Sequence, residues 1–268
     1  MRSKLVSSPY ILWAILFIIA PMIFVVYYSF TTASGDFTLD NIKFLSKYLP
    51  TFLRSIWFGI VATLICLLIA FPTSYIISQK SDKMQRTLIL LVMLPMWMSF
   101  LIRTYSWMAI LQDTGLINSF LIKIGIDPVH MINTGGAVIL GMVYNFLPYM
   151  IMPIYSVMAK LDFSMIEACQ DLGGNKINVI RRCIIPLSMP GIVSGITMVF
   201  VPSVSTFYIS QKLGGGSFDL IGDVIERQFQ QSYNYNLGAS LSLVLMILIL
   251  VCMAVMNRFS GDEGEMVI

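Results

Sequence analysis

The sequence predicts an all-α polytopic membrane protein, one transmembrane domain with six spans over residues 1–268. Three observations lead there. The chain is 57% hydrophobic, only 12% charged, and has a mean hydropathy of +0.81. A water-soluble domain carries about 25% charged residues, so this apolar surface cannot be hidden in one soluble core. Six apolar runs are long enough to cross a bilayer, which takes roughly 20 residues each. Between the fourth and fifth runs lies an ordered polar segment, the longest interruption in the chain.

The runs are 10–30, 55–78, 87–111, 137–158, 192–209 and 237–256. The first follows Arg2 and Lys4, as a signal peptide would. Its apolar stretch is too long for that, and no small-residue cleavage site follows, so it is read as a membrane anchor. Prolines 21, 72, 95, 148, 153 and 202 fall within the runs, where kinks with freed carbonyls are one explanation and simple packing is another. The four cysteines (Cys66, Cys169, Cys183 and Cys252) are far apart and form no CxxC pair. They read as small hydrophobes rather than disulfides or metal ligands.

Basic residues set the expected orientation. With the N-terminus inside, ten of the 17 Lys and Arg fall in inner segments and six in outer ones, while Arg103 lies within the third span. Basic density is then about twofold higher inside, the bias expected of cytoplasmic loops. Both termini, and the polar segment 160–190, are therefore expected in the cytoplasm.

That segment reads as two short helices. Ser164 is an N-cap candidate with Glu167 three residues on, the spacing of a capping box. Met165, Ile166, Ala168, Cys169 and Leu172 form an apolar face, while Glu167, Gln170 and Asp171 stay polar. Gly173 suits the left-handed position that ends a helix. A second helix over 176–185 carries Arg181 and Arg182, and Pro186 and Pro190 are expected to break it. A helix of about ten residues is marginal alone in water, so the first must dock on its own domain, on lipid or on a cytoplasmic partner.

Glu167-Ala168-Cys169, three residues, Gly173, nine residues, then Cys183-Ile184-Ile185-Pro186 resembles the "EAA" loop of ABC-importer permeases. Cys169, Cys183 and Ile185 depart from the family's Ala, Ile and Leu, all by small or apolar swaps. The stretches LPMWMSFLIRTYSWMAIL (94–111), LPYMIMPIYSVMAKLD (147–162) and FYISQKLGGGSFDLIGDVI (207–225) are similar to the PotB-type permease family of spermidine/putrescine (polyamine) importers.

The resemblance implies a type I importer permease fold whose first loop helix is a coupling helix seated in a cytoplasmic ATPase. Ser164, Glu167, Ala168, Cys169, Asp171, Gly173 and Pro186 then become the ATPase-coupling residues. It also implies a second related permease, two ATPase copies and an extracellular or periplasmic polyamine-binding protein, all on a bilayer and without nucleic acid. ATP and magnesium would stay on the ATPase, and this chain would bind no cofactor and catalyse nothing.

Polyamines are flexible cations, so their path should offer aromatic faces, carbonyls and carboxylates. Trp97, after Pro95, is the first candidate, followed by Tyr105, Tyr149 and Tyr208, with Asp113 and Asp223 as acids. No carboxylate lies centrally in a span. Arg103, a cation in an apolar segment, can snorkel outward, pair with Asp113 or hold a gate shut. Pro202, with hydroxyls at Ser203, Ser205 and Thr206, is a second gating candidate.

Rival classes find less support. KLGGGSFDLIGD has no Gly-Lys-Ser/Thr ending, so it is not a phosphate cradle. A stand-alone secondary transporter needs buried ionisable groups for ion coupling, and only Arg103 qualifies. A membrane enzyme needs convergent His, Asp or Glu, and the single histidine, His130, has no ligand-spaced companion. An ABC permease for another small solute remains the alternative.

Overall fold

The third apolar run does not cross as one helix. In the computed structural model, which describes residues 10–32, 34–161, 164, 165, 169, 171, 175–216 and 218–264, α3 (Asp82–Met93) ends in a 3-10 turn, Leu94–Trp97. The chain restarts as α4 (Phe100–Leu111) and α5 (Leu116–Lys123). The two halves are bent by 88°. Twelve residues of α-helix reach only about 18 Å, short of the roughly 30 Å hydrocarbon core. The expected continuous span 87–111 is corrected to a broken one. The cause is local: Pro95 has no N–H to continue the ladder, and Met98 is extended at φ −80, ψ 147.

Five other helices are long and apolar enough to span. They are α1 (Tyr10–Ser29), α2 (Leu49–Ser78), α6 (Gly135–Met158), α7 (Ile185–Ser205) and α10 (Tyr235–Gly264). Two short helices, α8 (Tyr208–Leu213) and α9 (Ile221–Gln230), lie between α7 and α10. Among the described residues there is no strand, only an isolated bridge between Thr31 and Phe37. The expectation of six spans therefore holds with the bent pair counted as one.

Two helix-end expectations are corrected. Pro186 and Pro190 do not stop the second loop helix, which runs from Lys176 through a π turn, Ile180–Ile184, straight into α7. Span five also ends at Ser205 rather than at 209, because Thr206 is extended at ψ 144. The π turn explains the first. Ile185 N–H reaches back to Ile180 O, one residue farther than in an α-helix. That wider turn relieves the carbonyl that a following proline ring would strike. The same device precedes Pro21, where Ala20 N–H bonds Ile15 O after the π turn Ile15–Ile19. Pro72, Pro148, Pro153 and Pro202 all lie inside continuous helices.

The core is the mutual packing of α2, α6 and α7. Ala62, Cys66 and Ala70 of α2 meet Val138, Met142 and Met150 of α6, all fully buried. Small residues let the backbones approach. Ser74 Oγ donates to Ile151 O at 3.1 Å and Cys66 Sγ to Val143 O at 3.8 Å, both across the α2–α6 seam. The α6–α7 seam is closer still. A Cβ built on Gly191 would lie 2.8 Å from Pro153 O, and one on Gly195 would lie 2.7 Å from Met150 Sδ. These glycines form a Gly-x-x-x-Gly face.

α1 stands apart from this core. None of its apolar window is buried. Its end is held to α10, where Asn236 Nδ2 donates to Thr31 O at 2.7 Å and Ser240 Oγ to Ser29 O at 3.1 Å.

Candidate functional site

Two regions carry the predicted residues: an aromatic and acidic cluster where α4 meets α8 and α9, and the loop between α6 and α7. In the first, Tyr105 of α4 and Tyr208 of α8 form a corner, their ring centroids 6.2 Å apart at 84°. Phe100 packs on Tyr208 at 5.9 Å. Two residues beyond Tyr105 on α4, Trp107 meets Tyr144 of α6 edge-on at 5.3 Å. The break at Thr206 and Phe207 creates the corner, because it turns α8 out of the line of α7.

The other predicted aromatics lie elsewhere. Trp97 is 73% exposed at the end of the 3-10 turn. Tyr149 is exposed on α6, beside Phe146 at 6.5 Å. Among the described residues, neither makes a ring contact with the corner.

The two acids have different surroundings. Asp113 accepts from His130 Nδ1 at 2.8 Å on an exposed surface. Asp223 is buried, with Oδ2 accepting from Leu220 N at 2.7 Å and Oδ1 within 2.9 Å of Ser210 Oγ. It caps α9 and ties α9 to α8, so it is not open to a ligand. Beside it, Glu226 Oε2 accepts from Gln211 Nε2 at 3.0 Å. Glu226 also borders a cavity of about 500 Å³, walled by Phe207, Gly222, Phe229, Ser242 and Leu245.

Burial pushes the Asp223 carboxyl up to about 7, against its hydrogen bonds from Leu220 and Ser210. The neutral form suits the geometry. Ser210 has one hydroxyl proton but two acceptors, Phe207 O and Asp223 Oδ1, both at 2.9 Å. A protonated Oδ1 donating to Ser210 satisfies both. A carboxyl with a raised folded-state pKa contributes stability in acid, and that contribution is lost as pH rises through about 7. Thermal unfolding should therefore show a wild-type midpoint that falls between pH 6 and pH 8. The Asp223→Asn midpoint should stay level over that range, because the amide reproduces the neutral acid's pattern.

Arg103 is buried at 8% exposure, with its guanidinium 5.9 Å from the Phe100 ring. Its Nε and Nη1 have no hydrogen-bond partner among the described residues. It neither reaches the surface nor pairs with Asp113. Pro202 sits inside α7. The adjacent Ser203 Oγ is buried without a hydrogen-bond partner among the described residues, while Ser205 Oγ turns back onto Val201 O at 3.0 Å.

In the loop, Ser164, Met165, Cys169 and Asp171 are helical. Ser164, Met165 and Asp171 are exposed, whereas Cys169 is half-buried against the main core. Cys183 Sγ donates to Met165 O at 3.8 Å, tying the loop to the π turn. Pro186 is exposed on the helix that follows. Glu167, Ala168 and Gly173 lie outside the described residues, so the proposed capping box is not described either.

Sequence reasoning missed Lys212 as a member of the cluster. Lys212 follows Tyr208 by four positions, the spacing of helical neighbours, and its Nζ lies 5.8 Å from that ring and 5.4 Å from Tyr105. The Tyr105 half of the contact comes from a distant segment and had no local signal.

No protein-family model matches the chain. By sequence, it is 38% identical over 234 residues to the spermidine/putrescine transport system permease protein PotB of Haemophilus influenzae, covering 83% of this chain and 81% of that one. Escherichia coli PotB is 37% identical over 227 residues, covering 81% and 82%. A PotB homolog of Mycoplasma genitalium is 30% identical over 215 residues, covering 76% and 72%. By structure, a bacterial ABC transporter involved in importing the acidic polysaccharide alginate superposes with a TM-score of 0.78 at 19% identity, over 97% of this chain and 96% of that one. The same kind of transporter, in complex with its alginate pentasaccharide-bound periplasmic protein, superposes at 0.77 and 19% identity, over 97% and 94%. At that identity the superpositions establish the fold, and the sequence likeness establishes the kinship: this chain belongs to the family of spermidine/putrescine transport system permease proteins.

Proposed function

We infer that the chain forms half of the membrane path of an ATP-driven polyamine importer in the bacterial cytoplasmic membrane. Both termini and the α6–α7 loop face the cytoplasm. A second related permease completes the path, two copies of an ABC ATPase dock below, and a binding protein delivers spermidine or putrescine from outside. ATP and magnesium belong to the ATPase, and this chain hydrolyses nothing. The observation that carries the reading is the 38% identity to a spermidine/putrescine permease over 83% of the chain.

The loop's construction supports the coupling role. Met165 and Asp171 are exposed, while Cys169 is half-buried and ties the loop to the core. The segment from Lys176 runs without a break into α7, so a push on the loop moves a spanning helix directly. Glu167, Ala168 and Gly173 belong to the same docking surface, with Pro186 at its membrane end. ATP binding acts only by favouring one of two packings of the spans. Tyr105 and Tyr208, with Trp97 and Tyr149 as further aromatic faces, line the route. Arg103 and the Pro202–Ser203 segment are its gate.

Reconstitution in liposomes tests this. Putrescine uptake should require ATP, the binding protein and the second permease together. Uptake by this chain alone, or uptake of an unrelated solute with no polyamine uptake, overturns it.

A further inference from the structure

The corner between Tyr105 and Tyr208 is already occupied by a cation, and that cation is the chain's own. Lys212 Nζ lies 5.4 Å from the Tyr105 centroid and 5.8 Å from the Tyr208 centroid. Both distances are within the range at which an ammonium is drawn to an aromatic face. The two rings stand at 84° to one another, so one charge is shared by two walls.

The placement is unexpected, because acids lie on α9 and just before it. Each of them is engaged elsewhere: Asp219 accepts from Arg227 through both oxygens at 2.9 Å, Asp223 from Leu220 N, and Glu226 from Gln211. Among the described residues, no carboxylate is within ion-pair distance of Lys212. The lysine is left to the aromatic corner.

Its chemistry is informative. A lysine side chain is four methylenes ending in a primary ammonium. 1,4-Diaminobutane is the same four-carbon stem with an ammonium at each end. The corner therefore displays, through Lys212, the fit of half a putrescine. Tyr105 is 45% exposed and Tyr208 is half-buried, so an alkylammonium can reach both rings once the lysine swings away.

We propose that the Tyr105–Tyr208 corner is a binding site for a primary alkylammonium group and that Lys212 is its tethered occupant, displaced when a substrate amine enters. This rests on the polyamine-import reading and adds to it a specific subsite and an internal competitor. The tether makes the competition intramolecular, so it acts at high effective concentration however dilute the protein is. The resting site is thereby closed to a stray cation and opens only to an amine that outcompetes the lysine.

The test is equilibrium binding of radiolabelled putrescine to the complete permease–ATPase complex in nanodiscs, without binding protein. Lys212→Met keeps most of the stem and removes the charge. It is expected to tighten binding by about tenfold, the gain when a site open one-tenth of the time becomes always open. Lys212→Arg retains a cation that stacks on the rings and should bind no tighter than wild type. In the double variant Tyr105→Leu/Lys212→Met, the gain should vanish, because the two residues act on one site.

Equal or weaker binding in Lys212→Met, a gain that survives loss of Tyr105, or no measurable binding in either wild type or Lys212→Met overturns the proposal. Uptake by the same preparations in liposomes separates the two claims. ATP-driven polyamine uptake without a Lys212 effect on binding sinks the subsite alone, whereas no polyamine uptake by wild type sinks the import reading beneath it.

Discussion

Glu167→Lys is expected to reach the membrane at the wild-type level and to copurify with almost none of its ATPase, abolishing uptake. A docking helix of about two turns makes a small contact, so each charged group in it weighs heavily. Reversing one charge replaces attraction by like-charge repulsion, a change of several kcal/mol, and each 1.4 kcal/mol is about tenfold in affinity. The loss should therefore be on the order of a hundredfold or more. Membrane yield, ATPase copurification and uptake are measured side by side. Unchanged copurification would mean that the α6–α7 loop does not grip the motor. Cys169 carries the loop's contact with the core, and the substitution does not alter that residue.

Gly191→Leu should have the largest effect on the permease itself, severely lowering the yield of folded protein and its thermal midpoint. A Cβ there would sit 2.8 Å from Pro153 O and 3.1 Å from the Ile154 Cα. Both are backbone atoms of α6, so relief requires the whole helix to move. Overpacking of this kind costs about 1–3 kcal/mol and occasionally more, against a total stability of about 5–15 kcal/mol. Gly195→Ala is the graded control. Its Cβ would meet the tip of Met150 first, at 2.7 Å, and a methionine side chain can rearrange. Size-exclusion profiles and thermal unfolding in detergent should rank wild type above Gly195→Ala, and Gly195→Ala above Gly191→Leu. A Gly191→Leu protein as stable as wild type would show that α6 and α7 do not pack through this face.

The spans were legible because bilayer crossing is a matter of length and apolarity, which a chain displays openly. Where the reading slipped, neighbours decided. Pro95 and Pro186 look alike in sequence, yet one ends a helix and the other is carried through by a π turn, a backbone adjustment with no residue signature. The Ser205 terminus was hidden for the same reason: Phe207, Tyr208 and Ile209 are as apolar as the span they follow, and only the extended Thr206 separates them.

The candidate site was legible in part. Tyr105 and Tyr208 were selected as aromatic faces, and the fold brings them together. Asp223 was selected as an open acid, and the fold buries it under Leu220 and Ser210. Local spacing shows which side chains are available, but only the crossing of α4 with α8 shows which of them share a space.

The clamp between Asn236, Ser240 and the end of α1 has a mechanical consequence. Together with the packing of Ala20–Ser29 along α10, it holds that half of α1 in place. A spanning helix meets a thinner or thicker bilayer by changing its tilt, and packing against a neighbour limits that change. The turns before Ala20 should therefore swing farther than the half that α10 holds, with Thr31 as the fulcrum.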